Sequence, residues 1–357
     1  MNRRFLRRVA LLMVGTATTV ALAACGGSDD RPMTWDSRSL QATVEELPFI
    51  PSVINSSVGV GESRIVVAFI DRDDGTLVGD ATVTGTFYRL ANDPDAEPEV
   101  SEAFTDATRL TARVLDLDVA STSGSTRSIE DQPTQDASLH RVVGGSLGQD
   151  TASAPSHDGH EHQLTTVYTT NVTFDQPGYW GLALRIEADG QTHQTRLKFW
   201  VMEHQGEIAI GAAAPRTAQL TLRDVDEPAE ISSAPVPNTA MLEKTVAEAL
   251  DTGRPVVVAF VTPAFCQTRY CGPILEAVVE PAWQEYGDRV EFVHIEPFDL
   301  EVARGQGALE PVPAVVEWGL RTEPFIFVVD AEGLVRYKLE GITDLDELSD
   351  AIEAVLN

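Results

Sequence analysis

Two sulfurs carry the strongest chemistry in this 357-residue chain. Cys266 and Cys271 bracket Gln267, Thr268, Arg269 and Tyr270, with Gly272-Pro273 directly after them. The thiolate, not the thiol, is the nucleophile and the soft ligand. Pro273 suits the first position of a helix, so 266–272 is expected as loop or first turn. A helix N-terminus and the Arg269 guanidinium both favour a thiolate there. An isolated cysteine pair can equally be a permanent staple, and both readings stay open. A second group is His157-Asp158-Gly159-His160-Glu161-His162. The imidazoles of His157, His160 and His162 can converge on copper or zinc, and a polar loop without a ligand is the plainer alternative. Asp71, Asp73 and Asp74 precede Gly75, one place too early for an EF-hand, so a solvated turn is expected.

The third cysteine has a different setting. Arg3, Arg4, Arg7 and Arg8 form a basic start, residues 9–24 a short apolar stretch, and Leu22-Ala23-Ala24-Cys25 its end. The stretch is too short for a confident membrane span, and its end looks like the lipobox of exported lipoproteins. That likeness implies diacylglycerol on Cys25, a signal peptide over 1–24, and anchorage on the outer face of the cytoplasmic membrane. The formal charge of −29 repels phosphate backbones, so no nucleic-acid partner is expected. Nor is an organic cofactor.

The elements that must position these residues fall into two sets. After a polar tether over 25–46, residues 47–204 alternate apolar and polar positions in short runs. Strands are expected at 64–70, 81–90, 164–174, 179–186 and 193–202, which predicts an all-β, immunoglobulin-like sandwich. Residues 121–163 are poor in large apolar side chains and read as a mobile loop. A linker over 205–238 leads to a helix over 241–250. Continuous apolar runs at 255–261 and 290–296 then predict buried strands. A helix over 273–286 lies between them, kinked by Pro281. A short helix at 312–320, strands at 325–330 and 334–339, and a helix opened by Asp344 with Glu347 as its capping partner complete the chain.

That order, with a cysteine motif after the first strand and an X-Pro before the third, resembles thioredoxin over about 241–357. Three pieces carry the likeness: VVVAFVTPAFCQTRYCGP, Glu323-Pro324-Phe325-Ile326-Phe327, and the Asp330-Ala331-Glu332-Gly333 hairpin. It implies an α/β thioredoxin-like domain over 239–357 and Pro324 as a cis-proline facing the sulfurs. It also implies Cys266 as the attacking thiolate and Cys271 as the resolving one. Glu323 beside that proline would raise a thiol pKa. TPAFCQTRYCGP is also similar to a motif of bacterial lipoproteins with such a C-terminal domain, a likeness that brings no activity with it. The chain departs from thioredoxin in its four-residue cysteine spacing, in Ala259 where a buried aspartate is usual, and in Phe265 where a tryptophan is usual.

These features lead to a membrane-anchored extracytoplasmic thiol–disulfide oxidoreductase or redox-linked accessory protein acting on a protein thiol or disulfide. Copper handling is the alternative from another class, although His294 in mid-strand is the domain's one histidine. Peroxide reduction lacks the Pro-x-x-x-Thr-x-x-Cys pattern. A non-catalytic surface scaffold with a structural disulfide is the last.

Overall fold

The computed structural model describes residues 35–36, 47–90, 100–117 and 164–357. Cys25, the 1–24 segment, the 121–163 segment and with it His157, His160 and His162 lie outside the described residues, and of the 25–46 tether only Trp35 and Asp36 are described. Among the described residues the fold is rich in β-structure, with three four-stranded sheets and few helices.

The first ten strands are β1 (Trp35–Asp36), β2 (Phe49–Val53), β3 (Gly61–Asp71), β4 (Thr82–Arg89), β5 (Val100–Ser101), β6 (Thr108–Arg109), β7 (Thr111–Asp116), β8 (Leu164–Phe174), β9 (Gly178–Ala188) and β10 (Gln191–Val201). Two antiparallel sheets form from them, in the orders β2-β3-β8-β7 and β10-β9-β4-β6. Side chains alternate across a strand, and β3 uses both faces. Ile65, Val67 and Phe69 join Phe87, Trp180, Leu182 and Leu184 of the other sheet in one core. Val66 and Ala68 point the opposite way, into a core shared with Cys271, Ile274 and Leu275. The continuous run RIVVAFI has its reason there: the strand is buried on both sides.

The remaining sheet holds β11 (Val256–Phe260), β12 (Glu291–Ile295), β13 (Phe325–Val329) and β14 (Val335–Glu340), in the order β12-β11-β13-β14. β11 and β12 are parallel, and the other two pairings are antiparallel. Every residue of β11, β12 and β13 is buried. Ala249, Ala314 and Trp318 cover one face. Ile274, Val278, Ala282, Leu348 and Ile352 cover the other, together with the back of β3. Each fully buried aliphatic side chain contributes about 1.5–3 kcal/mol relative to exposure, so this wall shared by the two halves is a large term.

Several expected boundaries move. In place of a helix over 241–250 there is a 3₁₀ turn, Thr239–Leu242, and then a helix, Val246–Asp251. The break lies at Thr245, whose side chain accepts from the Glu248 N–H while Glu248 bonds back to the Thr245 backbone, so a capping box restarts the helix. The helix expected from Pro273 begins two residues earlier, in the segment Cys271–Ile274. Pro281, which lacks an N–H, is met by a π turn, Leu275–Val279, ahead of the final segment Glu280–Tyr286. The chain from 205 to 238 is strapped down. Residues Gly211 and Ala214 donate to the Val335 and Gly333 carbonyls, and Thr217 accepts from the Trp318 indole at 2.8 Å. Gly319, at φ 70°, lies so close to the strap that a Cβ would collide with the Gly206 carbonyl. Asp71 turns its carboxylate onto the Asp73 N–H at 2.7 Å, capping its own turn.

Candidate functional site

β11 and β13 run antiparallel with Phe260 opposite Phe325. That register brings the end of β11 and the start of β13 to the same edge of the sheet. The loop 261–270 leaves from one and Glu323-Pro324 leads into the other, so residues more than fifty positions apart in sequence share a site. The Glu323–Pro324 peptide is cis. Two hydrogen bonds join the segments: Gln267 N donates to Glu323 Oε1 at 3.1 Å, and the Thr268 hydroxyl donates to the Glu323 carbonyl at 3.5 Å. Arg269 turns the loop at φ 68°, the left-handed region that few non-glycine residues occupy.

Cys266 sits in this loop, half-buried, while Cys271 in the first helical turn is fully buried. They approach to 2.8 Å as two free thiols. No bond joins them, and a disulfide would be about 2.03–2.05 Å long. The two thiols have very different acidities. Cys266 is lowered to about 6, first by a hydrogen bond from the Cys271 thiol, against the cost of burial, then by Thr268 and the backbone N–H groups. Those contacts are measurable: Cys271 N donates to Cys266 Sγ at 3.2 Å, and Thr268 Oγ1 stands 3.3 Å from it. Cys271 goes strongly the other way, raised by burial and then by the anionic neighbour. The sequence assigned part of the thiolate stabilisation to Arg269. Its side chain is exposed, and the lowering comes from hydrogen bonds instead.

Glu323 is 6% exposed, and burial pushes its carboxyl up to about 7, with the Gln267 N–H pulling back and Cys266 pushing further. A second set of polar residues, absent from the sequence reading, lies at the base of the cysteine loop. The Thr262 hydroxyl, fully buried, lies 3.5 Å from the Ser233 hydroxyl. Glu296, just past β12, is buried and accepts from Ser233 N at 2.9 Å through Oε2, while its Oε1 has no hydrogen-bond partner. The Ser233 hydroxyl in turn accepts from Ala264 N at 3.0 Å, which ties the strap to the cysteine loop. A charged residue ending the apolar run VEFVHIE was the available signal for Glu296. Ala259 is buried between Ile326 and His294, and His294 Nε2 pairs with the Val261 carbonyl at 2.9 Å.

The sheet β2-β3-β8-β7 closes one side of the site. Leu115 and Val167 are buried in the core that holds Cys271, and Leu77, Leu117, Cys266 and Tyr270 pack against it.

Family models, curated proteins and solved structures all return no match for this chain. Among the described residues no group of three or more His, Cys, Asp or Glu side chains has an arrangement suited to a metal ion. No described helix is long and apolar enough to cross a membrane.

Proposed function

We propose that this chain is a thiol–disulfide oxidoreductase or redox-linked accessory protein. In this reading it carries a thioredoxin-like unit in its C-terminal third behind an immunoglobulin-like sandwich. The single observation behind the activity is the split pair. A half-buried Cys266 with a pKa near 6 stands 2.8 Å from a buried Cys271 held protonated. An exchange reaction needs one thiolate to attack and one reserved thiol to resolve, and the split supports that division of roles. The fold reading is supported by the β12-β11-β13-β14 order with its lone parallel pair, and by a cysteine loop facing Glu323-Pro324. Equilibration of the full chain with glutathione buffers tests the activity. The expected reduction potential of the pair lies above about −300 mV, and one below that range makes the bridge a staple.

The same proposal places the protein outside the cytoplasm, held by lipid on Cys25. Cys25→Ser is then expected to move the protein from the membrane fraction to the soluble one and to abolish lipid labelling, because the acyl chains supply the affinity. Unchanged partition would remove the anchor from the proposal.

A further inference from the structure

Side chains on β4, β9 and β10 alternate between the sandwich core and the outside. Trp180, Leu182 and Leu184 of β9 point into the core, so Tyr179, Gly181, Ala183 and Arg185 face out. The register carries that outer face across the sheet. On β10, Trp200 stands beside Tyr179, Lys198 beside Gly181 and Arg196 beside Ala183. On the other side, Arg185 stands beside Thr84, which is next to Arg109 of β6. Four cations therefore share one face of a chain whose formal charge is −29. Glu187, 3.2 Å from Arg185, is the one carboxylate at the outward positions of β4, β9 and β10. Arg109 and Lys198 are exposed. Trp200 is 52% exposed, with its ring edge-on to Tyr179 at 4.8 Å.

The same face receives the N-terminal tether. Trp35 of β1 is fully buried there, its ring against Gly181, where a Cβ would come within 2.5 Å, and 5.7 Å from the Tyr88 ring. Cys25 precedes Trp35 by ten residues. Ten residues reach at most about 36 Å, so a lipid on Cys25 keeps the Trp35 face close to the bilayer.

We propose that this face, with Arg109, Arg185, Arg196, Lys198 and Trp200, docks on the anionic phospholipid headgroups of the membrane that holds Cys25. The inference rests on the anchor proposed above. The acyl chains supply the attachment, and the face decides which side of the molecule meets the membrane. At physiological ionic strength charges are screened beyond about 8 Å, so the headgroups meet the nearest face and not the chain's total. Basic residues are drawn to an anionic surface, and tryptophan and tyrosine settle at headgroup level because their rings are part apolar and part polar.

Residues Pro32–Asn357 form a compact unit of their own. The test therefore uses the chain from residue 25 on with Cys25→Ser, which carries neither lipid nor the basic and apolar leader. Vesicles of phosphatidylglycerol or of phosphatidylcholine are added at low ionic strength, and binding is read by co-sedimentation and tryptophan emission. Binding to phosphatidylglycerol is expected, with a blue shift that Trp200→Ala removes, and release at high salt. Lys198→Gln is expected to weaken it about fivefold, and Lys198→Gln with Arg109→Gln about twenty-five-fold, from the attraction of each basic residue to such a surface. Both side chains are exposed, so the variants keep the fold of the parent. Absence of binding to phosphatidylglycerol, equal binding to phosphatidylcholine, or an affinity that the charge variants leave unchanged overturns the docking face. Lipid labelling of the native chain reads the anchor separately, so loss of labelling with vesicle binding intact overturns the anchor alone.

Discussion

Cys271→Ser is expected to turn a transient adduct into a stable one. With Cys266 still ionised and nothing left to resolve it, mixed disulfides with partner proteins accumulate and run as reductant-sensitive bands above the monomer. Cys266→Ser is expected to trap nothing, because the remaining thiol is buried and held protonated. The contrast is close to all-or-none, since exchange rates follow the thiolate fraction and the two sulfurs differ in both ionisation and access. The serine hydroxyl keeps a donor near Cys266 Sγ, so the lowered pKa survives in part and Cys266 alkylation still rises through a midpoint below the ordinary thiol value. Thiolate is the reactive form, hence the rate grows as pH climbs through that value. Equal alkylation of the two cysteines in the native chain, with neither variant trapping a partner, removes the exchange mechanism.

Much of this site was legible as residue types and little of it as distances. Cys266, Cys271, Glu323 and Pro324 all stand out in the sequence, because loop cysteines and an X-Pro before an apolar run are local signals. The pairing of Phe260 with Phe325 that joins them is a long-range fact, and no local pattern encodes it. Thr262, Ser233 and Glu296 were missed for the same reason, being ordinary polar residues until the fold encloses them. The expected strand boundaries came out well where β-branched and aromatic residues fill the run, as at Leu164–Phe174. The helix boundaries shifted where a cap outweighed apolar spacing, as at Thr245. The largest omission concerned the two halves. RIVVAFI was read as one strand of an independent sandwich, yet an unbroken apolar run already says that both faces are buried. One face belongs to the partner sheet and the other to the core around the cysteine helix.

Arg64→Ala is therefore expected to destabilise the whole molecule rather than the sandwich alone. Arg64 projects from β3 onto the turn ahead of the C-terminal helix, Leu345–Leu356. Its Nε and Nη2 grip the two carboxyl oxygens of Glu347 at 2.8 Å each, and Nη1 and Nη2 donate to the Glu340 and Ile342 carbonyls at 2.8 and 2.7 Å. The two side chains are 7% and 12% exposed, so solvent screens them little. Removing Arg64 leaves the buried Glu347 carboxylate with the Arg113 guanidinium at 3.6 Å as its remaining counter-charge, so the cost is a large part of the about 3–5 kcal/mol of a buried charge left wholly unpaired. Burial works to raise the Glu347 carboxyl, but the Arg64 charge and hydrogen bond, with Thr343 and Arg113, hold it below its ordinary value. A depressed carboxyl stabilises the folded state above its unfolded pKa of about 4.3 and loses that contribution as pH falls through the folded value. The gap between parent and variant is then widest at neutral pH and narrows in acid. Urea unfolding of the full chain, followed by β-sheet circular dichroism and by tryptophan fluorescence, is expected to show one coincident transition that shifts as a unit in Arg64→Ala. Separate transitions, with the variant moving only one of them, would mean that β3 lies against the cysteine helix without being coupled to it. In the coupled case the sandwich is part of the redox site's support. The Val66, Ala68, Leu115 and Val167 side chains fill the core beneath Cys271, and a chain cut at 239 leaves that core open to water.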